Sequence, residues 1–406
     1  YGDHRDLHKE YRRQRQMCIR DRSNTVKGNH RRIVVKVGTS LLTGGTDELD
    51  LNMIGNVVSQ IASLSIRGTQ IILVSSGAVA AGRGVLRGFK DHASTDGLPG
   101  RQVLAAVGQG RLIHVYEEEF ASHGLPSAQA LLSRRDVNDR LGYLNLRNTL
   151  SSLMDNGVIP IVNENDVVAV DELEGEVFGD NDNLSALIAN LVDADLLIIL
   201  GTVAGMYTKD PNLHGDAEII PIVDRLDESI TSLAGPSADK MGRGGMVTKI
   251  EAARLATASG VDVVIASGLD GDAITRLVAG ESLGTLFKAT VSKLESRKRW
   301  MLSGLRDVAG TKNSIEVDGG AVNAMTSGNT SLLPAGIVEC RGTFVRGDIV
   351  SVKGSDGSVI AAGISNYDSD DVKKLSGVRS SRIETILGYH FGDEIIHKDN
   401  LVLLND

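Results

Sequence analysis

Cysteine is almost missing from this chain of 406 residues, with only Cys18 and Cys340 present. Neither a disulfide framework nor a cysteine zinc site can be built from two such residues, which suits a reducing cytoplasm. No apolar run approaches the roughly 18 residues needed to span a bilayer, so no membrane partner is expected. Basic residues are not in excess. Lys plus Arg number 43 against 52 Asp plus Glu, a net charge of −9 with pI near 5.6, which argues against a general binder of nucleic acid or of membrane surfaces. The nine histidines are scattered, and no Gly-x-Ser-x-Gly, His-Glu-x-x-His or Cys-x-x-Cys constellation occurs, so hydrolase or protein-metal chemistry has no carrier. No internal repeat or low-complexity tract stands out.

What is present is a chain long enough, at 41% hydrophobic residues, for two domains with separate cores. Residues 1–30 are set aside: Arg12, Arg13, Arg15, Arg20 and Arg22 crowd a polar stretch without apolar periodicity, and a disordered or non-native leader is expected there. From Arg32 onward, short continuous apolar runs alternate with helical patterns. The runs are Ile33 to Val37, Ile71 to Val74, Val158 to Val162, Leu196 to Leu200 and Val261 to Ala266, and amphipathic segments such as Leu51 to Arg67 and Lys249 to Ser259 lie between them. Four- to six-residue runs of this kind are buried on both faces of a parallel sheet. The expectation is an α/β fold, an αβα sandwich with a mainly parallel sheet, with ligands at the carboxyl ends of its strands. Beyond a linker at 295–312, the segments Ser314 to Val317, Gly336 to Arg341, Ile349 to Val352 and Val359 to Ile364 alternate apolar and polar residues, interrupted by a helix from Ser369 to Ser376. A small, mostly β domain is expected over 313–406, after a first domain over 31–294.

The chemistry concentrates in a few stretches. Gly179-Asp180-Asn181-Asp182-Asn183 packs two acids and two amides ahead of an apolar helical pattern, where a solvated loop ending in a helix cap is the alternative. Asn163-Glu164-Asn165-Asp166 closes the third apolar run with a second such cluster. Lys36 stands among apolar neighbours and runs into Gly38, so its ammonium either meets an anion at the strand end or snorkels to the sheet edge. Gly38 allows close approach of a phosphate, although the Walker A spacing is absent. Ser75 to Gly82 opens a helix with small residues, suited to binding an anion or to tight helix packing. A third glycine loop, Gly242-Arg243-Gly244-Gly245, leads through Met246, Val247 and Thr248 to Lys249. Two lysines, phosphate-accommodating glycines and several carboxylates point to phosphoryl transfer by positioning and charge neutralisation. If the acceptor is a carboxylate, no general base is required, because it is already ionised at neutral pH.

These motifs in this order, together with Leu104-Ala105-Ala106-Val107-Gly108-Gln109, resemble the amino acid kinase family over about residues 31–402. Ser331 to Ile337 and Phe344 to Asp348 resemble a PUA domain. The resemblance implies ATP and Mg2+ as cofactors and phosphorylation of the γ-carboxylate of L-glutamate to L-glutamyl 5-phosphate, the first step of proline biosynthesis. It implies Lys36, Lys249 and Asp182 as catalytic residues, and Ser76, Asp166, Asn181 and Asp180 as contacts of glutamate. Lys36, Gly38, Gly201, Thr202, Arg243, Gly244, Gly245, Met246, Val247, Thr248 and Lys249 would line the nucleotide site. Proline as a feedback inhibitor and a homo-oligomer, dimer or tetramer, follow from the same likeness. RNA binding through the PUA-like region is the remaining partner, against which residues 313–406 carry eight Lys plus Arg and thirteen Asp plus Glu. Two stretches depart from the family pattern: Thr202 is followed by Val203 instead of an acid, and Arg243 and Val247 stand where small or hydroxyl residues are usual.

Overall fold

The computed structural model describes residues 30–87, 97–133, 136, 137, 139–168, 181–211, 213–233, 245–293, 313–328 and 330–404. Residues 1–29 of the expected leader and the expected linker, together with Gly179, Asp180, Arg243 and Gly244, fall outside the described residues. In chain order the first part comprises β1 (Arg32–Val37), α1 (Thr39–Leu42), α2 (Leu51–Ile66), β2 (Gln70–Ser75), α3 (Ala78–Leu86), α4 (Gly97–Ser122), β3 (Ser127–Leu132) and α5 (Arg140–Asp155). It continues with β4 (Ile159–Glu164), α6 (Asn181–Leu191), β5 (Leu196–Gly201), β6 (Ile222–Val223), α7 (Glu228–Ser232), α8 (Met246–Thr257), β7 (Asp262–Ser267), α9 (Ala273–Val278) and β8 (Thr285–Phe287). The strands form one eight-stranded sheet in the order β3-β4-β2-β1-β5-β7-β8-β6. Its pairings are parallel except between β7 and β8, where Ile265 faces Thr285 in antiparallel register.

The five continuous apolar runs became β1, β2, β4, β5 and β7, each within two residues of the expected bounds. Alternation along these strands divides their side chains between two cores. Ile33, Val35, Leu73 and Ile198 pack with α2 and α4 on one face, and Val34, Val74, Val162 and Ile199 pack with α5, α6 and α8 on the other. That division settles which way Lys36 points, because it shares the face of Val34, under α6 and α8. The α8 helix starts at Met246 rather than Lys249. Gly245 takes an extended conformation as its N-cap and its carbonyl accepts from Lys249 N at 3.4 Å, so Lys249 sits on the first turn.

The second part holds β9 (Ser314–Val317), α10 (Gly319–Gly328), β10 (Ile337–Arg341), β11 (Ile349–Lys353), β12 (Val359–Ile364), α11 (Ser369–Leu375), α12 (Ile383–Leu387) and β13 (Leu401–Leu403). Its five strands make a separate sheet, ordered β10-β9-β11-β12-β13. The short helix expected from Ser369 is present as α11, whereas α10 and β13 were not anticipated. The two parts meet on α5. Leu144, fully buried, packs with Ile349, Ala362, Ile364 and Val402 of the second sheet, while Leu150 and Met154 of the same helix belong to the first core. Removing a fully buried leucine side chain leaves a cavity that its neighbours only partly fill. Leu144→Ala is therefore expected to lower unfolding free energy by about 2–4 kcal/mol, read from denaturant midpoints, and an unchanged midpoint would show that this contact is not made.

Candidate phosphoryl-transfer site

The carboxyl ends of β1, β2, β4 and β5 lie together, since Val37 is in register with Ser75 and with Leu200 across parallel pairings. The connection leaving β1 leads to β2 on one side and the connection leaving its neighbour β5 leads to β6 on the other, a topological switch at which open α/β sheets bind ligands. The first turn of α6 sits over this switch. Asp182, completely buried, offers one oxygen to Lys36 Nζ at 2.5 Å and the other to Lys249 Nζ at 3.1 Å. The Thr248 hydroxyl lies 2.9 Å from the same Asp182 Oδ2 and 2.9 Å from Gly245 O. A carboxylate at a helix N-terminus is favoured by the helix dipole, and two ammonium groups compensate its burial. The solvated loop considered for 179–183 is therefore excluded at Asp182, and Lys36, 2% exposed, does not snorkel to solvent.

Glycines leave room beside both amines. A Cβ built on Gly38 would lie 3.8 Å from Lys36 Nζ, and one on Gly201 would lie 3.5 Å from Lys249 Cε. Side chains at either glycine would occupy the space next to the ammonium groups. The N–H of Gly38 is itself committed to Leu200 O at 3.2 Å, so this glycine contributes space rather than a donor. Met246 and Val247 are half-buried on the first turn of α8 and Thr202 is exposed beyond β5.

Asn181, one residue before Asp182, faces the other way. Its Nδ2 donates to Ser76 Oγ at 3.1 Å and to Asn163 Oδ1 at 3.0 Å. Asn163 in turn donates to Gln109 Oε1 at 2.7 Å and accepts from Glu164 N at 2.9 Å. Asn181 Oδ1 is buried and accepts no hydrogen bond among the described residues. Consecutive positions on one helical turn thus serve two adjoining half-sites, with Asn181 toward β2 and β4 and Asp182 toward β1 and α8. Asn163 and Gln109 were not singled out from sequence as site residues. The signal for Asn163 was an amide closing an apolar strand run, and its 2% exposure is what makes it a structural partner of Asn181.

Of the two purposes considered for the Ser75 to Gly82 stretch, tight helix packing is the one the geometry displays. Gly77 caps α3 in the left-handed region, φ 100°, a conformation glycine adopts without strain. A Cβ on Gly82 would come within 1.9 Å of Leu104 O, and one on Gly108 within 1.9 Å of Ala78 O, so α3 and α4 touch backbone to backbone. Ser75 Oγ meets Tyr116 OH of α4 at 2.9 Å and donates to Ser76 O at 3.0 Å, which fixes the turn that carries Ser76. Asp166 lies in the turn after β4, and burial pushes its carboxyl up to about 6, with the nearby Arg101 acting in the opposite direction.

The architecture is that of a small-molecule kinase, and a model of the amino acid kinase family matches residues 31–267. The chain belongs to the amino acid kinase family, and a PUA domain model matches residues 313–387. It is 52% identical over 380 residues to a glutamate 5-kinase of Dehalococcoides mccartyi, covering 93% of this chain and 100% of that one. Glutamate 5-kinases of Herpetosiphon aurantiacus and Deinococcus radiodurans are 48% and 46% identical, each over 92% of this chain and 98% and 100% of theirs.

A carboxyl titration of Asp166 followed by NMR is expected to show its midpoint near 6. Arg101→Ala should move the midpoint higher, since a cation favours the ionised form. A midpoint near 4, the ordinary value for aspartate, would contradict the burial described here.

Proposed function

We propose that this chain transfers the γ-phosphoryl group of ATP to the γ-carboxylate of L-glutamate, giving ADP and L-glutamyl 5-phosphate. The observation that supports the reading is the adjacency of Asn181, bonded to Ser76 and Asn163, and Asp182, paired with two lysines; in this reading the first cluster holds the amino acid beside the lysine pair. The near full-length likeness to chains named glutamate 5-kinase supports glutamate as the acceptor; a place at the start of proline synthesis in a reducing cytosol is part of the same proposal.

In this reading the attacking γ-carboxylate and the terminal phosphate are both anionic and repel each other. Lys36 and Lys249 reduce that repulsion and follow the charge as it shifts to the leaving oxygen. Asp182 aims the two amines and touches neither substrate. Thr248 holds the Asp182 oxygen that Lys249 also uses. Gly38, Gly201 and Gly245 keep the phosphate path open, and Met246, Val247, Thr202, Arg243 and Gly244 complete the nucleotide side. Magnesium, arriving with ATP, would supply neutralisation of part of the phosphate charge. Ser76, Asn181, Asp166 and Asp180 hold glutamate, with Asp166 as counter-charge to its ammonium. Proline, an amino acid with a secondary ammonium and a carboxylate, would compete at or near this half-site. A homo-oligomer is part of the proposal. The PUA domain is read as serving assembly or regulation, because the net charge of −5 over 313–406 disfavours strong, salt-dependent capture of RNA.

Purified protein given ATP, magnesium, glutamate and hydroxylamine should yield γ-glutamyl hydroxamate, and no product would end this reading. Lys36→Ala and Lys249→Ala should each lower kcat by about 100-fold or more, with the double variant little worse than either single one because the two amines act as a unit. For glutamate, kcat/KM should fall as pH drops through about 6, the value to which Asp166 is raised, because protonation removes the partner of the substrate ammonium. A flat profile down to pH 5 would remove Asp166 from this role.

A further inference from the structure

We propose that Gln109 is a positioning residue: it sets which end of the Asn181 carboxamide faces the amino acid, and thereby the preference for a substrate that carries an ammonium group. The inference rests on the glutamate-phosphorylating reading and assigns a specificity role to a residue that touches neither substrate in it.

A carboxamide has two ends of similar shape and opposite hydrogen-bonding sense, so its orientation is decided by its partners. The decision begins at a group that has no choice. The backbone N–H of Glu164 can only donate, and it lies 2.9 Å from Asn163 Oδ1. Asn163 therefore turns its Nδ2 the other way, toward Gln109 Oε1 at 2.7 Å. With Asn163 Oδ1 fixed as an acceptor, Asn181 has to present Nδ2 to it at 3.0 Å, and the same nitrogen reaches Ser76 Oγ at 3.1 Å. What remains is Asn181 Oδ1, buried and without a partner among the described residues. A carbonyl oxygen in that state accepts only, and an ammonium group is the complementary donor.

Two holds keep Asn163 in this orientation: the neighbouring backbone N–H and, across 54 positions of sequence, Gln109. Gln109 is delivered by a rigid element. Its neighbour Gly108 lies so close to α3 that a Cβ would approach Ala78 O to 1.9 Å and Gly82 N to 2.2 Å. Without the Gln109 oxygen, Asn163 Nδ2 would be stranded at a residue only 2% exposed, and rotating the amide would recover a partner at the expense of the Glu164 bond. Asn181 would follow by rotating, and would then turn a donor toward the substrate in place of an acceptor.

The test compares the wild-type chain with Gln109→Leu and Gln109→Glu, using L-glutamate as substrate and glutarate, the same dicarboxylate without its ammonium, as competitor. Gln109→Leu should raise KM for glutamate about tenfold, leave kcat and KM for ATP near their wild-type values, and tighten inhibition by glutarate relative to glutamate binding. Gln109→Glu keeps an acceptor oxygen for Asn163 Nδ2 and should restore wild-type discrimination. An unchanged glutamate-to-glutarate preference in Gln109→Leu overturns the proposal. Equal weakening of both ligands also overturns it, as does failure of Gln109→Glu to restore the preference. Wild-type protein that forms no product from glutamate would overturn the functional reading, and this inference with it.

Discussion

The buried carboxylate of Asp182, shared by Lys36 and Lys249, is the contact on which the arrangement of the site depends. An ammonium group at 2% exposure is costly in an apolar sheet unless an anion accompanies it, so Lys36 and Asp182 require one another. Because the carboxylate has two oxygens, it can hold the second lysine without releasing the first. Strand β1 and helix α8, which meet nowhere along the chain, are brought to a common point by this one side chain. Asn181 is then placed by covalent necessity, one residue earlier and about 100° around the helix, where the ends of β2 and β4 supply Ser76 and Asn163.

The helix that carries these residues is held at its other end as well. Arg147 donates to Leu191 O and pairs with Asp193, Arg32 donates to Val192 O, and Lys293 reaches Asp193 O at 3.0 Å. Cations at a helix C-terminus and a carboxylate at its N-terminus both suit the direction of the helix dipole, so α6 is fixed in position along its axis. Arg147 also donates to Asp399 O in the second domain at 2.9 Å. The second sheet is thereby connected, through one guanidinium, to the far end of the helix whose first turn forms the site. Docking of the PUA domain and alignment of the lysine pair share a structural element, although the two lie at opposite ends of it.

Much of this was legible in the sequence, for identifiable reasons. Strands buried on both faces must be continuously apolar, so β1, β2, β4, β5 and β7 stood out. Ser127 to Leu132 did not, because β3 is an edge strand with a half-exposed pattern and residues such as Ala and Gln that favour no strand. β6 and β8 are two and three residues long, too short to show a period. The α10 helix opens and closes with glycine and was invisible for want of helix propensity; Asp318 Oδ1 accepts from Ala321 N at 2.7 Å at its start, and Met325 anchors it to the core. Lys36, Asp182 and Lys249 could each be picked out as chemically unusual at their positions. Their meeting was implied only by the family resemblance and not by composition or spacing, because it depends on which face of β1 the lysine occupies and on β1 lying beside β5. The carboxamide chain from Gln109 to Asn181 was hidden for a different reason, since sequence carries no information on the orientation of an amide.

The most direct test of the central claim is a crystal structure of the protein with a nucleotide, magnesium, a planar mimic of the transferring phosphoryl group and glutamate. The account predicts that Lys36 Nζ and Lys249 Nζ both lie about 3 Å from oxygens of that one group, with Asp182 still bridging them and Asn181 Oδ1 on the glutamate ammonium. Lysine amines turned toward separate ligands, or a phosphoryl mimic bound away from both, would contradict it.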